Sequence, residues 1–278
     1  CTRELEMDLG LQGKLVLVTG STKGIGKAIA TAFVKAGACV LVNGRSQEQV
    51  DAVVAELSGV AREQGIAGTV VLGVVADISN PEGARTLEAA VKQADRPLDV
   101  LVNNVGIFAA KDFFECSDDE WAHYFNVNVM SAVRLSRAFM AGMLERGSGR
   151  ILFLASEAGV KPLPHMIHYS VTKTAVIGLA RGLAELTKGT GVTVNSILAG
   201  PTWTEGVQKY MVGMAQKAGK PVEHVVKEYF AEVEPTSLLQ RFIQPEEVAS
   251  TVLFLASKPG AAINGSSQRV EGGIIRHI

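Results

Sequence analysis

An α/β fold built on a doubly wound parallel sheet is what this sequence predicts. Three observations carry it. Short apolar runs alternate with helical stretches along the 278 residues. The first six runs are apolar nearly throughout, as parallel strands covered on both faces are. A glycine cluster, Gly20-Ser21-Thr22-Lys23-Gly24-Ile25-Gly26, joins the first run to the first helix. Strict strand–helix alternation implies right-handed crossovers and one sheet of about seven strands, with helices on both faces.

The first strand is expected over 14–19. The helix after it is expected over 25–36, where Ala, Ile, Phe and Val recur at helical spacing. Glycines between them permit a tight turn and let backbone approach a phosphate closely. The helix start adds unpaired N–H groups and the positive end of its dipole. That is the logic of a dinucleotide site, although Gly-x-x-x-Gly-x-Gly differs from Gly-x-Gly-x-x-Gly. No Gly-Lys-Ser/Thr follows at P-loop spacing. Further strands are expected over 38–43, 69–76, 98–102, 149–155, 192–198 and 267–271. Helical patterns fill 46–64, 81–94, 118–146, 168–189 and 245–257.

Residues 202–235 break the rhythm. Trp203, Tyr210, Met211, Met214 and Phe230 stand among lysines and glutamates, punctuated by Pro221 and Pro235. An insertion after the sixth strand falls at the carboxyl edge of the sheet, where such folds bind ligands. One or two amphipathic helices acting as a substrate lid are expected there. No repeat, low-complexity tract or composition shift marks a linker, so residues 1–278 read as one domain.

Composition sets outer bounds. Hydrophobic residues make up 47% and charged residues 20%, which fits a large core and argues against disorder. The net charge of −1 gives no electrostatic case for nucleic acid or an acidic membrane. Cys1, Cys39 and Cys116 lie far apart with no Cys-x-x-Cys pair, so a reducing, cytoplasmic setting is expected, with Cys39 as a buried filler. No apolar run reaches membrane-span length. The first ten residues are mixed and charged, unlike a signal peptide, and a start at Cys1 rather than Met suggests trimming.

The chemistry is expected at Tyr169-Ser-Val-Thr-Lys173. Four-residue spacing puts both side chains on one helix face, a turn apart. A free tyrosine has a pKa of about 10. A nearby ammonium favours the phenolate, so the pair is expected to exchange a proton with a substrate oxygen near neutral pH. His165 and His168 flank the tyrosine, but their spacing without a third ligand makes no metal site.

These residues resemble the classical short-chain dehydrogenase/reductases, over nearly the whole chain. Thr19-Gly20-x-x-x-Gly24-Ile25-Gly26 resembles the family glycine motif. Asp77, in Ala76-Asp77-Ile78-Ser79, matches its adenine-contacting aspartate. Asn103-Asn104-Val105-Gly106 resembles Asn-Asn-Ala-Gly, with Val105 for alanine. Asn128, in Asn126-Val127-Asn128-Val129, matches the catalytic asparagine. Ser156 stands 13 residues before Tyr169, as the family serine does. Ala199-Gly200-Pro201-Thr202-Trp203-Thr204 resembles Pro-Gly-x-x-x-Thr, with Ala199 for proline. Val270-Glu271-Gly272-Gly273 resembles Val-Asp-Gly-Gly.

The resemblance implies a single NAD(P)-binding Rossmann domain and hydride transfer between nicotinamide and a carbonyl or secondary alcohol. In it Tyr169 exchanges the proton, and Lys173 lowers its pKa and bonds the nicotinamide ribose. Ser156 donates to the substrate oxygen, and Asn128 holds a water that leads protons out. Gly20 to Gly26, Asp77, Asn104, Gly106, Gly200, Thr202 and Thr204 line the cofactor. The segment Leu41-Val42-Asn43-Gly44-Arg45-Ser46 lacks the carboxylate that receives a ribose 2′-hydroxyl in NAD binders. Arg45 and Lys23 offer two cations for a 2′-phosphate instead, so NADP(H) is favoured and NAD(H) is the alternative. His165, Trp203 and Tyr210, with Met211, Met214, Phe108 and Met166, are expected around an apolar substrate pocket. Such a pocket accepts fatty-acyl, steroid, quinone and terpenoid ketones alike. Family analogy also implies a homotetramer or dimer through the helices at 118–146 and 168–189. Competing readings are an NAD-dependent alcohol dehydrogenase of the same family, a non-catalytic cofactor binder, and a relative of the halohydrin dehalogenases. The intact glycine motif and Lys173 argue against the last.

Overall fold

Seven parallel strands form one sheet in the computed structural model, which describes residues 8–278. The readings attached to Cys1 and to the first seven residues lie outside the described residues. The elements run β1 (Leu15–Val18), α1 (Gly24–Lys35), β2 (Cys39–Gly44), α2 (Gln47–Glu63), β3 (Val71–Val75), α3 (Pro81–Gln93) and β4 (Val100–Asn103). There follow α4 (Asp118–Phe125), a π-helical turn (Asn126–Met130), α5 (Ser131–Arg146), β5 (Ser148–Leu154), α6 (Ile167–Glu185) and β6 (Gly191–Ala199). The chain ends with α7 (Glu205–Ala218), α8 (Val222–Glu232), α9 (Pro245–Ala256) and β7 (Ser267–Val270). Strand order is β3-β2-β1-β4-β5-β6-β7. The order reverses between β1 and β4, which opens a crevice at their carboxyl ends.

Period-two alternation sorts the strand residues into two layers. Leu15 and Leu17 of β1 face one layer with Leu101, Ile151 and Phe153, covered by Leu87 of α3, Phe139 and Met143 of α5 and Val176 of α6. Val16 and Val18 face the other layer with Val102 and Leu152, covered by Phe33 of α1, Leu57 of α2 and Val252 of α9. Cys39 is buried in this sheet, as expected of a filler. Local signals fix several helix starts. Asn80 accepts from the Gly83 amide at 3.0 Å ahead of Pro81, and Ser117 with Glu120 forms a capping box. Gly147, at φ 67°, ends α5.

Three sequence expectations are corrected. The strand expected over 69–76 was to be covered on both faces; β3 is the edge of the sheet, and Leu72 is 41% exposed. The helix expected over 118–146 is interrupted by the π-helical turn that carries Asn128. The helix expected over 168–189 ends at Glu185. Residues 202–235 hold two helices, α7 and α8. Met211, Ala215, Val225 and Phe230 from these helices meet Phe242 in a small apolar cluster of their own.

Candidate active site

The glycine loop is held by side chains from three strands. Ser21 Oγ donates to the Val18 carbonyl at 2.7 Å and receives the Asn43 amide at 2.9 Å. Thr19 Oγ1 receives the Asn104 amide at 2.9 Å, and Asn104 Nδ2 donates to the carbonyls of Thr19 (2.8 Å) and Gly20 (3.1 Å). A Cβ on Gly26 would lie 2.4 Å from the Gly20 carbonyl and 2.5 Å from Asn104 Nδ2, so only glycine fits there. Lys23, at the start of α1, makes no side-chain cap. The Gly24 amide instead donates at 3.0 Å to the Glu205 carboxylate from the start of α7. A carboxylate oxygen therefore sits on the helix end where a dinucleotide phosphate would bind, and the loop fits that group.

The end of β2 is closed to a carboxylate. Asn43 is buried, with Oδ1 receiving the Gly20 amide at 3.2 Å and Nδ2 donating to the Val74 and Ala76 carbonyls. Arg45 and Lys23 are exposed, and neither forms an ion pair among the described residues. Asp77 is exposed and its carboxylate receives the Ser79 amide at 3.0 Å. Slight burial works to raise its pKa, but the Ser79 hydrogen bonds and the Arg45 charge outweigh it and hold the carboxyl below its usual range.

On the other side of the crevice, α6 presents Tyr169 and Lys173 beside the end of β5. Lys173 is buried and donates to the Leu154 carbonyl at 2.7 Å, with Nζ 5.7 Å from the Tyr169 ring centroid. A Cβ on Gly106 would lie 3.3 Å from Lys173 Nζ and 3.6 Å from Asn128 Oδ1, so the loop after β4 lies against both. Asn128 Oδ1 receives the Ile107 amide at 2.8 Å. Its Nδ2 donates to the Ile107 carbonyl at 3.0 Å and to Thr172 Oγ1 at 2.9 Å. The π-helical turn thus aims Asn128 to pin this loop to α6. Ser156 Oγ receives the Ala158 amide at 3.1 Å and donates to Glu157 Oε2 at 2.5 Å.

Electrostatics here differ from the sequence expectation. Burial pushes the Tyr169 phenol above its ordinary range, and the Glu157 charge adds to this against a hydrogen bond with Ser156. Lys173 does not hold it down, because its close contact is the Leu154 carbonyl. Burial lowers Lys173 itself to about 8, with Glu157 opposing. Burial raises Glu157 to about 7; the Ser156 hydrogen bond opposes this and Glu234 reinforces it.

The expected pocket residues fall into two groups. Phe108 lies edge-on to Tyr169 at 6.2 Å and Tyr210 is 63% exposed, both open to a ligand. Trp203 packs on Phe242 at 5.0 Å, Phe242 stacks on Tyr229, and Met211 is buried, so these build the small cluster under α7 and α8. His165 is exposed and His168 is buried edge-on to Tyr124, 4.3 Å away. No group of three or more metal-binding side chains occurs among the described residues. Thr202 Oγ1 donates to the Gly200 carbonyl at 2.8 Å, Gly200 lies against Glu271, and Thr204 caps α7.

A family model described as short chain dehydrogenase matches residues 14–214. The chain belongs to the short-chain dehydrogenase family. It is 58% identical over 272 residues to the uncharacterised oxidoreductase YvrD of Bacillus subtilis (strain 168), covering 98% of this chain and all of that one. The L-sorbose reductase of Gluconobacter frateurii, solved with NADPH and L-sorbose, superposes with a TM-score of 0.91 at 32% identity, over 98% of this chain and all of that one. A 3-oxoacyl-[acyl-carrier protein] reductase of Brucella melitensis with bound NAD gives 0.79 at 28% identity, over 94% and 91%.

In this short-chain dehydrogenase, sequence reasoning passed over Asn43, Thr172, Glu157, Glu205 and Glu234. Asn43 stood in view as the residue where a carboxylate was missing. Glu157 beside Tyr169 and Glu234 facing Glu157 gave no sequence signal, because a glutamate reads as solvated until its surroundings are known. Glu234 is 1% exposed and bonded by Lys161 at 2.6 Å.

Proposed function

We propose that this chain is an NADP(H)-dependent oxidoreductase that reduces a ketone or oxidises a secondary alcohol. The observation that carries the reading is the meeting of Ser156 with Tyr169 and of Lys173 with Tyr169 and Gly106, across the crevice from a glycine loop shaped for phosphate. The dinucleotide, when bound, supplies or takes the hydride. The amides at the start of α1 hold its phosphates, with Glu205 leaving Gly24. Arg45 and Lys23 hold the 2′-phosphate, and Asp77 and Asn104 line the adenosine side. Gly200, Thr202 and Thr204 line the other half. Ser156 donates to the substrate oxygen and Tyr169 holds the transferable proton there. The raised phenol pKa keeps that proton in place at neutral pH, which suits donation during reduction. Lys173, lowered to about 8, exchanges protons near working pH and restores the phenol. Asn128 fixes the loop after β4 against α6.

Tyr169→Phe tests the reading. Turnover should be lost while NADPH binding, followed by nucleotide fluorescence, is unchanged; equal turnover in the variant overturns Tyr169 as the proton donor, and NADPH binding with no turnover in the wild type leaves a non-catalytic binder. Comparing kcat/KM for NADPH and NADH tests the cofactor. A preference for NADH would move the assignment to an NAD-dependent alcohol dehydrogenase of the same family, and NAD is the nucleotide the Brucella reductase carries. A cytoplasmic homo-oligomer, dimer or tetramer, is part of the proposal. Its interface is α5 with α6, where Val171 and Leu186 are exposed. Light scattering that returns a single-chain mass rejects it.

A further inference from the structure

We propose that Glu157 is a positioning residue for Ser156, its carboxyl deciding whether the serine proton is free for the substrate oxygen. The inference rests on the ketone-reductase reading above. Glu157 directly follows Ser156, is 5% exposed, and lies 2.5 Å from Ser156 Oγ. A serine hydroxyl has one proton to give. An ionised carboxylate only accepts, so it captures that proton. Ser156 is then left with lone pairs, one already used by the Ala158 amide at 3.1 Å. A substrate oxygen developing negative charge would meet no donor on the serine. A neutral Glu157 carries its own O–H, which it gives to Ser156 Oγ, and the serine proton turns to the substrate.

The surroundings keep this carboxyl close to its switching point. Glu234, from the segment after α8, faces it and pairs with Lys161 at 2.6 Å. Tyr169 and Lys173 face it from α6 and Tyr229 from α8. No lysine, arginine or histidine pairs with Glu157 among the described residues. A buried acid with a second acid in reach and no paired cation destabilises the fold when ionised. Packing alone gives no reason for a carboxyl there, whereas control of the neighbouring donor does.

The pH profile of reduction tests this, with a ketone the wild type turns over and saturating NADPH. Wild-type kcat should fall as pH rises through about 7. In Glu157→Gln the side-chain amide donates to Ser156 at every pH, so that limb should vanish. The ratio of variant to wild-type kcat should then climb about tenfold between pH 6 and pH 8. Removing the Glu157 charge lets Lys173 titrate lower in the variant, which by itself would make the ratio fall as pH rises, so a climb comes from Glu157. A flat ratio overturns the inference. Glu234→Gln leaves Glu157 in place and removes the charge facing it, so the wild-type limb should move to lower pH. A limb that stays put also overturns the inference, and this variant decides the matter if Glu157→Gln does not fold. Wild-type inactivity on every ketone would sink the oxidoreductase reading and this inference with it, and full activity of Tyr169→Phe would sink the assignment of the proton to Tyr169. A flat ratio in an enzyme that Tyr169→Phe inactivates sinks the inference alone.

Discussion

Among the described residues Lys173 has only a carbonyl in hydrogen-bond reach, and that makes it a buried charge the fold must tolerate. Its pKa falls from the ordinary 10.5 to about 8. The unfolded chain therefore binds the proton more tightly than the native one. Below about pH 8 the folded state bears the full cost, and stability rises as pH climbs from 8 towards 10.5. The size is about 3 kcal/mol at the usual 1.36 kcal/mol per unit. Denaturant titrations at pH 7.5 and pH 10 should show this rise in the wild type and lose it in Lys173→Met; an equal rise in both would place the titration elsewhere. Arg45 carries a binding prediction at the same scale. Arg45→Ala should weaken NADPH by about tenfold or more, the loss expected for a charge-assisted hydrogen bond, and leave NADH unchanged. Equal losses for both would remove Arg45 from the 2′-phosphate. The sequence made the Tyr169–Lys173 pair legible because helix spacing is local. It did not reveal which way Tyr169 titrates, because that depends on burial and on Glu157, which touches the site only once the turn after β5 folds.

At the scale of elements, the start of α1 and the start of α7 share one hydrogen bond, from the Gly24 amide to the Glu205 carboxylate at 3.0 Å. The positive end of the helix dipole favours an anion there, worth about 0.3–1 kcal/mol for an exposed group. In the proposed reading, the dinucleotide phosphate displaces that carboxylate. Glu205→Gln should therefore tighten NADPH binding by about two- to fivefold in a fluorescence titration. Weaker binding in the variant would mean that Glu205 supports the cofactor rather than competing with it. The glycine loop and the apolar strands were legible because each is a local pattern. The π-helical turn at Asn126–Met130 was not, because its wider hydrogen bonding is set by backbone geometry that no residue type in Asn-Val-Asn-Val-Met marks. The edge position of β3 was hidden as well, since strand order follows from crossovers and not from the composition of Val71–Val75.

Across the whole molecule, apolar packing falls into unequal parts. Two large clusters sandwich the sheet, and a third, around Met211, Ala215, Val225, Phe230 and Phe242, lies under α7 and α8. That third cluster stands apart from the two that hold the sheet. Segments supported by few buried contacts open at lower free energy than the core that carries global stability. Helices α7 and α8 should thus exchange amide hydrogens well before β1, β4 and β5. Their position after β6, together with the Gly24–Glu205 contact, couples them to the cofactor site. Bound NADPH and ketone should slow exchange in α7 and α8 more than in the central strands, as a closing lid requires. Phe230→Ala removes the largest fully buried side chain of the small cluster and should cost about 3–5 kcal/mol locally. Hydrogen exchange should then quicken in α7 and α8 alone, with KM for the ketone raised and the protection of β1 and β4 intact. Loss of protection across the whole sheet in this variant would show that the two helices share the core's cooperativity and cannot open as a lid.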